Sequence, residues 1–182
     1  MKHIKWTSLA MGALMIAALA CGGGGTTAPQ GGAGGGAQPI EQWATSATAS
    51  SQYGEANWAA SAATGAPDTG ECGDYGTAWA SETSSGQDWL EVTYSTAVVP
   101  TKIVIYETYN PGSIVKVEVR DTSGNYHTVW TGNAGAVSQC PREFTVTVSG
   151  VSQKVNAVRI NLDQSVVGSW NEIDAVQLVG TP

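Results

Sequence analysis

The sequence predicts an all-β chain folded as an antiparallel β-sandwich, on three observations. Apolar and polar residues alternate with a period of two in several short runs. Val115, Val117 and Val119 against Lys116, Glu118 and Arg120 is the plainest case. Turn residues such as Asn110-Pro111-Gly112 and Asp121-Thr122-Ser123-Gly124 separate these runs. No long stretch past residue 40 carries the helical period of apolar residues. Alternation with β-branched residues marks strands that bury one face, as in antiparallel sheets.

Taken in order, the elements begin with a targeting segment, residues 1–21. Lys2 and Lys5 form a basic start, and Leu9 to Leu19 is an apolar run too short to span a bilayer. Ala18-Leu19-Ala20-Cys21 resembles a bacterial lipobox, which implies acylation of Cys21 and a membrane anchor. The same residues fit ordinary signal cleavage, which would release a soluble protein. Gly22 follows Cys21, and in a Gram-negative cell the lipoprotein resemblance implies the outer membrane. Residues 22–40 are Gly-rich and carry no charge, so they read as a linker that only spaces the domain.

Residues 41–182 read as one domain, long enough to bury a core. Thr45 to Ser51 is the expected opening strand, and Asn57 is placed to cap a short helical turn from Trp58 to Ala63. Gly65-Ala66-Pro67-Asp68 opens a loop, rich in Gly and acid, that runs through Gly76 to Trp79. Three strands then follow with two breaks. Trp89 to Tyr94 puts Leu90, Val92 and Tyr94 on one face. Thr101 to Glu107 carries Ile103 and Ile105 after Pro100, and Ser113 to Arg120 carries the three valines. Asn125 to Trp130 is a short strand, Phe144, Val146 and Val148 mark another, and Val158, Ile160 and Leu162 a third. Glu172 to Val179 closes the domain, for seven or eight strands in all.

Trp89-Leu90-Glu91-Val92-Thr93-Tyr94, Val99-Pro100-Thr101, Glu107-Thr108-Tyr109-Asn110-Pro111-Gly112 and Asn171-Glu172-Ile173-Asp174-Ala175-Val176 together resemble the discoidin-like β-sandwich of pappalysin-type metalloproteases. The same pattern is similar to a domain beside the repeats of an F-box/leucine-rich-repeat protein. The resemblance covers most of residues 43–180 and implies a jelly roll of galactose-binding-like topology. Such sandwiches serve as accessory modules in unrelated proteins, so the fold alone names no activity. In discoidin-like domains a comparable Ala…Gly…Asp…Trp run carries a calcium site near the end of the sandwich. Here that run is longer and contains Cys72.

The charge balance narrows the partners. The full chain has a net charge of −7. Loss of Lys2 and Lys5 with the targeting segment removes base and no acid, so the domain is more acidic still. This argues against nucleic acid and anionic lipid headgroups, and permits cations, neutral glycans and basic proteins. Cys72 and Cys140 are the two cysteines left after Cys21, and an oxidising compartment should pair them. Zinc would need more Cys or His close by.

Asp68, Glu172 and Asp174 are the candidate calcium ligands, because calcium takes six to eight oxygens and loop carbonyls can complete a carboxylate set. The alternative has Asp68 cap a turn while Glu172 and Asp174 accept hydrogen bonds from loops. Tyr53, Tyr75 and Trp170 lie in expected loops and can offer a sugar a flat apolar face beside polar groups. Tyr109 and Asn110, in the turn before Pro111, are further contact candidates. Most of Trp43, Trp58, Trp79, Trp89 and Trp130 are expected to plug the core and its ends.

A Ser-His-Asp site finds no Gly-x-Ser-x-Gly turn, and His127 sits within a strand pattern. No spacing singles out a carboxylate pair for glycoside hydrolysis among Asp68, Glu107, Glu172 and Asp174. The expected role is therefore non-catalytic recognition of a glycan or protein ligand at the cell envelope. A structural assembly module of an envelope complex is the second reading, and a glycoside-processing enzyme the third.

Overall fold

The structure, a computed structural model, describes residues 37–182. Cys21, the targeting segment and all but the last residues of the linker lie outside the described residues. Eight strands form an antiparallel β-sandwich: β1 (Ile40–Trp43), β2 (Ser46–Ala49), β3 (Gln87–Tyr109), β4 (Ile114–Asp121), β5 (Tyr126–Thr131), β6 (Arg142–Thr147), β7 (Val155–Asp163) and β8 (Glu172–Thr181). One layer runs β1-β8-β3-β6 and the other β2-β3-β7-β4-β5.

β3 belongs to both layers. The expected pair of strands, Trp89–Tyr94 and Thr101–Glu107, is a single strand of 23 residues. Its first part pairs with β2 and β7, its second with β6 and β8. The register against β7 shifts between Thr93 and Val98, where the strand passes from one layer to the other. Pro100, which cannot donate to a ladder, lies where the register against β8 also shifts. The strand also extends past Glu107 through Tyr109, so the turn after it is confined to Asn110-Pro111-Gly112.

Leu90 and Val92 of β3, Val117 and Val119 of β4, and Val158 and Ile160 of β7 are wholly buried. They join Ile103, Ile105, Val176, Leu178 and Trp79 in one core cluster. Each such aliphatic side chain contributes about 1.5–3 kcal/mol on burial. Ile114 takes the inner place expected of Val115. The register against β7 shifts between Ile114 and Lys116, which leaves Val115 half-buried.

β1 begins at Ile40, one residue before the expected domain start, and pairs with β8 from Gly180 to Gln177. The expected helical turn is a 3-10 turn at Ala60–Ala63 that makes no side-chain cap at its start. Asn57 does not cap it, because Trp58 has turned to a φ of 54°. The Ala60 N–H is satisfied instead by Gln52 Oε1 at 3.0 Å. At Gly112 φ is 122°, and a Cβ there would stand 2.1 Å from the Gly135 carbonyl oxygen, so only glycine fits the turn after β3.

Candidate functional site

The long loop between the 3-10 turn and β3 wraps the start of β8. It is tied down at several points. Cys72 and Cys140 form a disulfide. The Gly73 N–H donates to the Thr108 carbonyl at 3.0 Å. Trp79, wholly buried, exchanges backbone hydrogen bonds with Ile173 at 2.8 and 3.0 Å. Its indole N–H donates to the Ser51 carbonyl at 3.1 Å.

The carboxylates at the head of β8 accept from this loop. Asp174 accepts from the Asp68 and Thr69 N–H groups at 3.4 and 3.3 Å, and Glu172 from the Tyr75 N–H at 3.3 Å. The three calcium candidates are not gathered at one point. Asp68 lies beside Asp174, whereas Glu172 lies beside Asp74. Glu172 and Asp174 line different cavities. Among the described residues no group of three or more His, Cys, Asp or Glu side chains converges on a point that could hold a metal ion.

Tyr53, Trp58 and Trp170 come together at this end of the sandwich. The Tyr53 ring is 5.5 Å from each indole, with interplanar angles of 76° and 81°. They wall a cavity of about 80 Å³, completed by Asp74, Ala80 and Glu172. The two indole walls are anchored by hydrogen bonds. The Trp58 indole N–H donates to Asp74 Oδ1 at 2.9 Å. The Trp170 indole N–H donates to the Ser81 carbonyl at 3.0 Å, and Asn110 Nδ2 donates to the Trp170 carbonyl at 3.2 Å. The left-handed backbone at Trp58 is rare for an aromatic residue. It is fixed by the Trp58 N–H to Gly76 carbonyl and Ala80 N–H to Trp58 carbonyl bonds, at 3.0 and 3.2 Å.

Glu172 is 1% exposed. Burial, and then the charge of Asp74, push its carboxyl up to about 8, against the pull of the Tyr75 N–H. Burial likewise raises Asp174, partly offset by the Thr69 and Asp68 N–H groups.

Of the expected contact residues, Tyr53 and Trp170 thus share one cavity, and Asn110 supports it from below. Tyr75 lies apart, with its hydroxyl donating to Glu71 at 2.9 Å, beside a shallow pocket that includes Asp68 and Thr77. Tyr109 is half-buried and does not line the aromatic cavity; its carbonyl accepts from Asn171 Nδ2 at 3.1 Å. Trp58 and Asp74 were not expected at the site. A tryptophan in a presumed helical turn and one acid among several in a loop carry no periodic signal. On the other side of the tied loop a wider groove of about 540 Å³ is lined by Thr69, Tyr106, Gln139, Arg142, Glu143 and Asp174, among others.

The remaining polar clusters have structural partners. His127 Nε2 lies 2.8 Å from Asp121 Oδ2. That contact, then the Asn125 N–H, holds the Asp121 carboxyl well below the usual range. Glu107, wholly buried, accepts from the Gly112 N–H at 3.0 Å and faces Arg142 at 3.3 Å. Glu91 binds both Arg120 and Arg159.

The family described as pappalysin-1, SD scarf domain, C-terminal, matches residues 35–182. The F-box/LRR-repeat protein 4 of Bos taurus is 26% identical over 109 residues, which are 52% of this chain and 17% of that protein. The chain therefore spans less than a fifth of that curated relative. Among solved structures, a chitosan-binding module from a chitosanase/glucanase of Paenibacillus sp. IK-5 is similar at a TM-score of 0.54 and 23% identity, over 74% of this chain and 92% of that one. The family 32 carbohydrate-binding module of C. perfringens NanJ, solved with galactose, is similar at 0.56 and 21%, over 77% and 99%. At these identities the likeness is one of fold.

Proposed function

The chain belongs to the pappalysin-1 SD scarf domain (C-terminal) family, and from that premise we propose that it is a non-catalytic glycan-binding module. The observation that carries this reading is the cavity walled by Tyr53, Trp58 and Trp170 with carboxylates at its base. Aromatic faces bury the apolar CH face of a pyranose, and fixed acceptors orient its polar groups. Carbohydrate-binding modules among the similar folds support the assignment, and since one is a chitosan-binding module and another was solved with galactose, they do not point to a single sugar.

Screening the full chain on a glycan array tests it. Wild type should bind at least one glycan, and Trp170→Ala should weaken that binding by about tenfold or more while the fold is retained. An array on which wild type binds nothing sinks the reading. Capture of an envelope protein without sugar competition would favour the assembly module instead.

The proposal extends to two further features. The module is exported and held at the cell envelope by acyl chains on Cys21, with residues 22–40 as its tether. Calcium is the other. The residues suited to it are Asp68 and Asp174, with loop oxygens, and not Glu172, which faces the aromatic cavity. Both Asp174 oxygens already accept backbone N–H groups, so two carboxylates form a lean donor set. Calcium should raise the melting temperature relative to chelator, and Asp68→Asn should abolish the shift. Equal wild-type melts in the two conditions would remove calcium from the proposal.

A further inference from the structure

Two acids, Asp74 and Glu172, form the base of the aromatic cavity, Asp74 supplies its negative charge, and no cationic side chain among the described residues lines it. Asp74 and Glu172 line it together, close enough for the Asp74 charge to act on Glu172. The cationic side chains found in ion pairs among the described residues, Lys116, Arg120, His127, Arg142 and Arg159, all serve other acids. None of them lines this cavity. Glu172 is 1% exposed, so its carboxyl oxygens lie beneath the aromatic walls and away from bulk water.

Above this base stand three aromatic rings, two of them nearly perpendicular to the third. Ring faces attract a cation, most strongly when it is desolvated. A metal such as calcium would need six or more oxygens, which indoles and a phenol ring do not supply. An ammonium group is satisfied by both parts of the cavity: its N–H groups donate to the Asp74 carboxylate and the Glu172 carboxyl oxygens, and its charge faces the rings.

We propose that the cavity selects the free ammonium group of an unacetylated amino sugar, seated on Asp74 and Glu172 with the ring's CH face against the aromatic walls. This deepens the glycan reading and rests on it. N-acetylation would remove the charge, enlarge the group and leave the two acids facing an amide. The sugar's neighbouring hydroxyls would lie toward the exposed Tyr53 side of the cavity.

Calorimetric titration of the full chain tests this with four probes: a glucosamine oligosaccharide, the N-acetylglucosamine oligosaccharide of equal length, a neutral galactose-containing oligosaccharide and a lysine oligomer. The glucosamine oligosaccharide should bind about tenfold or more tighter than each of the others. Asp74→Asn and Glu172→Gln should each erase most of that preference. Asp74 is exposed, so its variant keeps the test valid should the buried Glu172 change disturb folding. Binding of the neutral or N-acetylated sugar as tightly as the amine overturns the inference and leaves the glycan reading standing. Equal binding of the lysine oligomer overturns it in favour of general charge attraction. Binding of no sugar at all overturns both.

Discussion

Glu172 is buried, carries a raised pKa and has an acid as its neighbour. Its folded-state value of about 8 lies above the 4.5 expected of an open glutamate. The folded chain therefore holds this proton more tightly than the unfolded chain. The stabilisation is complete below the unfolded value and is lost as pH rises through the folded one. Asp174 acts in the same sense, because burial raises it too. In chelator, the melting temperature should fall as pH rises from about 5 to about 8.5, and Glu172→Gln should flatten that fall. Parallel wild-type and variant curves would show that Glu172 does not titrate in this range. Asp121, held low by His127, stabilises the fold throughout this range and loses that contribution only as pH falls below the ordinary aspartate range.

At the scale of elements, the loop that supplies Asp74 depends on its covalent tie to Cys140. The bridge spans 68 residues and would restrict the unfolded chain by about 4 kcal/mol on the chain-entropy account. Cys72→Ser with Cys140→Ser should lower stability by a few kcal/mol, read from denaturant melts, and weaken ligand binding at the aromatic cavity. Unchanged stability would show that the loop is held by its hydrogen bonds alone. The strands around this loop were largely legible in the sequence, because alternation reports burial on one face. Ile103 and Ile105, or Phe144 and Val146, are examples. The crossing of β3 between layers was not legible, since a period of two says nothing about which strand lies alongside. The place of Trp58 at the cavity, rather than as a plug of the core, was not legible for a related reason: it is fixed by backbone bonds to Gly76 and Ala80, residues far along a loop without period. The cysteine pairing was readable by elimination, and Tyr53 with Trp170 by residue type in a loop. The separation of Glu172 from Asp174 was not readable, because the register shifts where Tyr106 and Glu107 meet β8.

For the molecule as a whole, the proposed tether decides where the site works. The described residues carry the fold, and Cys21 precedes them by a Gly-rich stretch. Cys21→Ala should move the protein from the membrane fraction to the soluble fraction without altering its melting temperature. Recovery of the wild type in the soluble fraction would instead favour ordinary signal cleavage. Within the folded part, β3 has a consequence of its own. A sandwich whose layers were linked only by loops could be parted along its core, each sheet keeping its own ladder of hydrogen bonds. Here 23 residues of unbroken strand are woven through both sheets, and four other strands hang from it. The folded part has no seam: neither sheet can be excised or duplicated without cutting the strand they hold in common.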